Sequence, residues 1–584
     1  MVAMAIGPAW GADTAGAQPG GSGKTSKYAF FDVKGSLHES LPPVYLLESG
    51  DNLHELLGRI DAAGADPDVQ GLIVKIGPSK AGWAKVEEIR DALVRAGQRG
   101  KDTVCLLDTG GNLDYYLATG ARRIVMPPAG LLLLSGLRAE ALFARDLLDK
   151  LGIRADLVQA GKYKGAGEPL MRRTASSAFR ESLQSLLDGY YEGLLDAVAA
   201  GRDVPVSQAE VLLRGGPYSA RQALEAGLID DVLFMDELVS ELGEDHGGRL
   251  VFDREYGQGR GAGGPQAGTV SLFSLLMGKR PGRRPGDRGP AIAVLYAVGP
   301  IIEQEDDLSL GEQAVSLETF LEALIEALSD DTVKAIVLRV DSPGGSAQVC
   351  DSIWRELRQA DKRKPVIASF SDTAASGGYY IGVAARKIYA QPGTLTGSIG
   401  VLGGKLVMAD LLAKIGVSVV VVERGIGGGF LSPFQEFSAS QRKKIEELID
   451  ETYRLFLERV EETRPQLSAG KLRRVAQGRV WTGRQAHEHG LVDELGGLAE
   501  AIKAAKVAAG LAEDQAVRIV HLPRPRSVVE LIFFGPDAQV RAPDSVRFMM
   551  EVGFPRELGS YLRCLIALRR DAALCVMPAA VIIR

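Results

Sequence analysis

The chain has 584 residues, 46% of them hydrophobic and 24% charged, too many for one hydrophobic core and enough for about three compact units of roughly 100–200 residues. A formal charge of -6 and a pI near 5.8 exclude a general electrostatic attraction to nucleic acid or anionic lipid. Four scattered cysteines without a CxxC pair, and six histidines of which only His487 and His489 lie close together, argue against a metal site or a disulfide framework; no run of eighteen apolar residues reads as a spanning helix.

Residues 1–12, MVAMAIGPAWGA, are small and apolar and run into a polar, Gly-rich stretch. Region 1–26 is read either as the tail of a secretory leader or as a disordered terminus. From there the chain repeats itself. Gly35 of FFDVKGSL pairs with Gly299 of LYAVGPII, Val69 with Val333, Gly152 with Gly416 and Pro169 with Pro433, always at an offset of 264. Asp108 to Val125 falls on Asp372 to Tyr389 with seven of eighteen positions identical. Two homologous domains are expected, at 27–256 and 290–509. A Gly/Pro/Arg-rich linker at 257–289, with an apolar SLFSLLM island, lies between them, and a C-terminal extension at 510–584 follows.

In the first copy the β-branched runs GLIVKI, TVCLL and ARRIVM alternate with the helical-period segment VEEIRDALVRAG. The second copy repeats the pattern with AIVLRV, PVIASF and ARKIYA around CDSIWRELRQAD. Alternating strands and helices predict an α/β fold with mainly parallel sheets layered by helices. Each half closes on a related segment, YSARQALEAGLIDDV at 218–232 and WTGRQAHEHGLVDEL at 481–495.

Three places where the copies differ carry the chemistry. Lys164, in GKYKGAGEP, falls on Gly428 of the second copy, so the lysine belongs to the first half alone. A lysine acts as a base only when burial or nearby positive charge lowers its pKa; an ordinary surface lysine is the plain alternative. DSPGGS at 341–346 follows a strand where the first copy has GPSKAG, and Gly344 and Gly345 can turn backbone N–H groups into a cleft as an oxyanion hole does, or can form a Pro-Gly turn. Ser376, in ASGGYY, falls on Asn112, and its glycines 377 and 378 on Leu113 and Asp114. A serine between strand and helix, with small neighbours, suits a nucleophile and equally suits a helix N-cap. One half keeps the serine and the other the lysine, the pattern of a duplicated enzyme building one site from both copies.

With ASGGYY, DSPGGS, YKGAGEP and GTLTGSIG at 393–400, the chain resembles the signal peptide peptidase A (protease IV) family in its long, tandem-repeat form, from about residue 27 through the tail. That resemblance implies tandem domains similar in fold to the Clp protease subunit and to crotonases. It also implies Ser376 as nucleophile, Lys164 as base, and Ser398 as a second serine that hydrogen-bonds the lysine. Gly344, Gly345 and Gly377 become the candidate oxyanion glycines. Lys162, which pairs with Ile426, is a decoy beside Lys164, and Gly165 and Gly167 are expected to loosen the loop that carries the base. No metal or organic cofactor is implied.

The same resemblance implies partners and place: apolar peptides, namely signal peptides released from preproteins, a membrane surface, a homo-oligomer (a tetramer), and no nucleic acid. The location implied is the bacterial cell envelope, at the periplasmic face of the inner membrane. The expected reaction is peptide hydrolysis through an acyl-enzyme. A Ser-His-Asp site of the Clp type is disfavoured because no histidine occurs between His246 and His487. A crotonase-like acyl-CoA enzyme and a catalytically inactive membrane scaffold of the same fold are the alternatives carried forward.

Overall fold

The computed structural model describes residues 26–39, 51–245, 250–257, 289–303, 313–425, 427–524, 573–577 and 581–583. The leader-like start, nearly all of the linker with its apolar island, and most of the C-terminal extension lie outside the described residues.

Each copy folds around a parallel sheet. In the first, the strand order is Asp231–Val232, Arg123–Met126, Asp102–Leu107, Val69–Ser79, Ser26–Gly35 and Leu250–Asp253. In the second, Lys387–Ala390, Val366–Ala375, Val333–Ser342 and Ala291–Val298 follow each other in the corresponding order. Arg123–Met126 and Lys387–Ala390 stand 264 residues apart, so the repeat seen in the letters is a repeat of strands. The sheet of the second copy takes in Arg518–Leu522 beside Ala291–Val298. It therefore reaches past 509, into the stretch assigned from sequence to the extension.

The helices form where the periodicity predicts them. Trp83–Gln98 turns Val86, Ile89, Leu93 and Ala96 inward, and Ala347–Asp361 does the same with Ile353, Trp354 and Leu357. The second begins three residues before CDSIW, because the Ser346 side chain accepts the Val349 N–H and caps it. Both copies start the short helix of their closing segment with one device: Ser219 with Gln222, and Thr482 with Gln485, form capping boxes. Each copy has its own large apolar core. Outer helices cover the second sheet faces through Leu238 and Leu242 in the first copy and Ala501 and Ala505 in the second.

A third sheet unites the halves. Its strands run Arg154–Ala160, Val401–Val407, Leu574–Val576, Gly344–Ser346, Ile301–Ile302 and Val315–Ser316. Arg154–Ala160 of the first copy pairs antiparallel with all of Val401–Val407 of the second. That ladder carries the loop after residue 160 across to the other half. A buried ionic cluster fastens the same interface. Arg339 donates to Glu39 at 2.7 and 2.9 Å and to Glu88 at 2.6 Å, while Lys85 reaches Asp341 at 2.8 Å and Asp372 at 3.5 Å.

Candidate active site

Ser376 stands at the end of strand Val366–Ala375, with φ +56° and ψ -111°, a conformation uncommon outside glycine. Its N–H donates to Gly397 O at 2.8 Å and its O accepts from Tyr380 at 2.8 Å, which holds the bend from both sides. The hydroxyl makes no capping bond to the helix Gly377–Gly382. The N-cap alternative is thereby removed, and the side chain is aimed elsewhere.

It is aimed at Lys164. Nζ of Lys164 lies 2.7 Å from Ser376 Oγ, and it donates to Ser398 O at 2.9 Å and to Ser398 Oγ at 3.1 Å. All three residues are completely buried. Burial lowers the Lys164 pKa from its ordinary value to about 7, against a slight opposing effect of the Cys575 thiol. A lysine whose pKa is lowered to about 7 is neutral in a large fraction near pH 7 and then has the lone pair a base needs.

The backbone around Lys164 is built for close approach. Tyr163 N–H donates to Gln477 O, and Lys164 N–H to Gly161 O. Gly165 and Gly167 lie buried in a short 3-10 turn. A Cβ on Gly165 would stand 2.5 Å from the Phe179 ring, and one on Gly167 2.8 Å from Met171 Cε. These glycines tighten the loop by packing, where a loosening was expected. Glu168 then accepts from Ser176 N–H and Oγ–H and anchors the start of the helix Ser177–Arg202. Lys162 is exposed, with Nζ 3.1 Å from the Tyr163 hydroxyl, away from Ser376.

Ser398 also sits at positive φ, +52°, so its carbonyl and its hydroxyl both face the amine. Strand Leu395–Gly397 pairs with the end of the Ser376 strand, Ala375 opposite Gly397, which sets the two serines side by side.

The glycine candidates divide. Gly344 N–H donates to Ser342 Oγ at 3.2 Å, so it is not a donor to a ligand as expected from sequence. Its part is to lack a side chain: at φ +101°, a Cβ would lie 2.0 Å from Cys575 O and 2.6 Å from Gly377 N. Gly345 and Gly377 pack closely, since a Cβ on Gly377 would be 3.0 Å from Gly345 N. The strand Leu574–Val576 runs antiparallel to Gly344–Ser346 beside these glycines, a contact that no local pattern in the sequence announces.

The corresponding place in the first copy holds no such chemistry. Asn112 Nδ2 donates to Gly136 O at 3.0 Å, beside an apolar cleft of about 460 Å³ lined by Val33, Trp83, Leu117 and Leu137. Among the described residues, no group of three or more His, Cys, Asp or Glu side chains could hold a metal, and no helix is long and apolar enough to cross a membrane.

Comparison with known proteins agrees with this architecture. Residues 96–248 and 358–512 each match the model of peptidase family S49. The chain is 33% identical over 513 residues to "Serine protease SPPA, chloroplastic" of Arabidopsis thaliana, covering 88% of this chain and 73% of that one. It is 29% identical over 518 residues to "Protease 4" of Salmonella typhi, covering 86% of this chain and 79% of that one. A relative from Enterococcus faecium, "Putative signal peptide peptidase SppA", is 32% identical over 222 residues, 38% of this chain and 64% of its own length.

Proposed function

The chain belongs to peptidase family S49 as a tandem-repeat serine-type peptidase of the signal peptide peptidase A group, and on that footing we propose that Ser376 is its nucleophile, Lys164 its general base, and released signal peptides its substrates. The observation that carries this reading is the 2.7 Å approach of a fully buried lysine amine to a serine hydroxyl held at positive φ.

With Lys164 neutral, the Ser376 O–H donates to its lone pair, while the amine's own N–H groups donate to Ser398. The alkoxide attacks the substrate carbonyl as Nζ takes the proton. The N–H groups of Gly377 and Gly345 receive the developing oxyanion, where one such donor is worth about 10²–10³ in rate. Collapse breaks the peptide C–N bond, and the ammonium of Lys164 returns its proton to the leaving amine. A water molecule, deprotonated by Lys164, then releases the acyl group and restores Ser376. Extended peptides suit a site flanked by the strands Gly344–Ser346 and Val401–Val407, which can be met by strand pairing. A crotonase-like acyl-CoA enzyme loses its basis with the family assignment.

Assembly follows from the repeat. Offset by 264, Arg154–Ala160 corresponds to 418–424 and its partner Val401–Val407 to 137–143. Residues 418–424 carry no strand pairing here, and Val420 and Val422 are 86% and 91% exposed. Pairing this segment with 137–143 of a second copy repeats, between chains, the ladder within the chain. A head-to-tail contact of this kind is one that can generate a ring when its rotation closes, and the resemblance implies a tetramer. A bacterial cell-envelope location at the periplasmic membrane face completes the reading and rests on the resemblance.

The test is hydrolysis of an apolar leader peptide, and of a polar peptide of equal length, by wild type and by Ser376→Ala, Lys164→Ala and Lys162→Ala. Expected are a loss of at least about 10³-fold in the first two variants, near-full activity in Lys162→Ala, and preference for the apolar peptide. Full activity in Lys164→Ala overturns the dyad, and peptide binding without turnover in wild type restores the inactive scaffold.

A further inference from the structure

The helix Trp83–Gln98 of the first copy begins without a side-chain cap of its own. Its N-cap is Gly82, where the second copy, at the same offset of 264, has Ser346, whose hydroxyl caps the corresponding helix. Asp372, from the other copy, supplies what Gly82 lacks. Its carboxylate accepts from Gly82 N–H at 2.9 Å and from Lys85 N–H at 3.0 Å, a cap made across the copies. A Cβ on Gly82 would stand 2.5 Å from Asp372 Cγ, so the glycine makes room for that carboxylate. Asp108, the first-copy counterpart of Asp372, is instead largely exposed and pairs with Lys75. The cap therefore belongs to the strand that carries Ser376 and not to the repeat as such.

The Lys85 side chain extends the same contact. Its Nζ donates to Asp341 Oδ2 at 2.8 Å and lies 3.5 Å from Asp372 Oδ2 and 3.8 Å from Glu39 Oε1. Burial alone would lower the pKa of this amine, but the charges of Asp341, Asp372 and Glu39 outweigh it and hold the group protonated, well above its ordinary value. Lys164 shows the reverse balance, because burial dominates there. The two strands that Lys85 joins lose their regular pairing beside it. Val340 stands opposite Phe370 and Ser342 opposite Ala374, so Asp341 alone faces residues 371–373. Such a bulge re-aims the chain beyond it. Beyond it lies the site, with Gly344 and Gly345 three and four residues after Asp341, and Ser376 four residues after Asp372. Asp341 Oδ1 also accepts from Thr373 N–H at 3.1 Å. Glu87, on the same helix as Lys85, accepts from Gly393 N–H at 2.8 Å, just ahead of the strand that leads to Ser398.

We infer that Lys85 is a positioning residue for the Ser376 site: its ammonium, carried by the first copy's helix, ties Asp341 to Asp372 and so fixes the separation between the glycine turn and the nucleophile. The inference rests on the Ser376–Lys164 assignment. Lys85 touches no reacting atom and acts through the two strands, whose ladder is broken where it binds. Gly345 and Gly377 follow on different strands of that junction. A relative shift of about 1 Å therefore parts the two N–H groups that receive the oxyanion, at a cost on the order of a hundredfold in rate. Peptide pairing with the strand edges draws on many contacts besides this separation, so the effect falls on kcat more than on KM. Arg339 already neutralises Glu39 and Glu88, so joining the copies does not by itself call for a second cation at Asp341 and Asp372.

Leader-peptide hydrolysis with kcat and KM separated, and urea denaturation of the same samples, test this in the full chain. The variants are Lys85→Met, Lys85→Arg, and Lys85→Met combined with Asp341→Val, beside wild type, Ser376→Ala and Lys164→Ala. Lys85→Met is expected to lower kcat on the order of a hundredfold with KM within about twofold of wild type. Lys85→Arg keeps a cation between the carboxylates and is expected to recover most of that loss. The double variant removes the stranded Asp341 charge together with the amine, so it is expected to fold and still to be slow; it decides the matter if Lys85→Met alone does not fold. A double variant with wild-type kcat overturns the positioning role, and so does a Lys85→Arg protein as slow as Lys85→Met. Failure of both Lys85→Met proteins to fold overturns it too, since Lys85 then serves stability alone. Full activity in Ser376→Ala or Lys164→Ala overturns the dyad instead. With those two inactive, wild-type kcat in the double variant removes the positioning role and leaves the dyad standing.

Discussion

Gly478 lies directly against the backbone of Lys164: a Cβ on Gly478 would stand 2.6 Å from the N, Cα and Cβ of the lysine. Gly478 has φ +75°, and its N–H donates to Ile399 O, the residue after Ser398. One glycine thus touches the segment carrying Lys164 and the segment carrying its hydrogen-bond partner Ser398. Gly478→Ala adds both a clash and positive-φ strain of about 1–3 kcal/mol. A shift of Lys164 by about 1 Å is expected to lower kcat/KM on the order of a hundredfold, with Ser376 and Lys164 both still present. Peptide hydrolysis together with a thermal melt checks this; wild-type kinetics would mean that the lysine is held by its own loop alone.

The buried amine also fixes the pH dependence. Because burial lowers Lys164 to about 7, the neutral base is lost as pH falls through 7, and kcat/KM is expected to drop tenfold per unit below that point and to level off above it. Between about 7 and its ordinary value of 10.5, the unfolded chain holds a proton that the folded chain does not. Stability from this group therefore rises with pH across that window. Lys164→Met is expected to abolish hydrolysis and to remove that rise from urea-denaturation curves taken between pH 6 and 9. An acid limb unmoved from the ordinary carboxylate range would exclude Lys164 as the titrating base.

The duplication was the most legible part of the molecule, because strand, glycine turn and helix recur locally and keep one offset. Complementary substitution at Ser376/Asn112 and Lys164/Gly428 singles out the two residues that the fold brings to 2.7 Å from each other. What stayed hidden depended on contacts distant in sequence. Leu574–Val576 is three residues long and has no periodicity to distinguish it, and its place follows only from the open edges of Gly344–Ser346 and Val401–Val407. Gly344 reads as an oxyanion donor until Ser342 Oγ is seen to take its N–H. Gly165 and Gly167 read as flexible until the Phe179 and Met171 side chains fill the space above them. Gly478, in AQGRV, signals no more than a turn.

Arg339 is the hub of the joint between the copies. It is fully buried, and it serves Glu39 and Glu88 of the first copy as well as Ser369 and Ser371 of the second. Burial pushes the Glu39 carboxyl up, but the charges of Arg339 and Lys85 outweigh it and hold the group at about 2. Arg339→Met removes the cation and strands two buried carboxylates, a change expected to destabilise by about 3–5 kcal/mol. Adding Glu39→Gln and Glu88→Gln is expected to recover much of that loss, because the stranded charge causes it. Urea denaturation of the single and triple variants checks both; equal loss in the two would assign the effect to packing.

The exposed segment 418–424 gives the last prediction. In the first copy the corresponding residues, Arg154–Ala160, are paired along their whole length, and Asp156 Oδ2 accepts from Phe437 N–H at 2.7 Å. In the second copy Val420 and Val422 face solvent in a segment without strand pairing, an exposed apolar stretch of the kind that folded chains usually cover. If a neighbouring copy covers it through 137–143, Val420→Asp with Val422→Asp places charge in the ladder and is expected to convert the oligomer to monomer by light scattering. The melting temperature of the monomer should change little, because neither side chain contributes to the core of its own chain. Ser376 and Lys164 meet within one chain, so hydrolysis is expected to persist in the monomer. An unchanged mass would place the interface elsewhere, and loss of hydrolysis on dissociation would show that the site needs its neighbour.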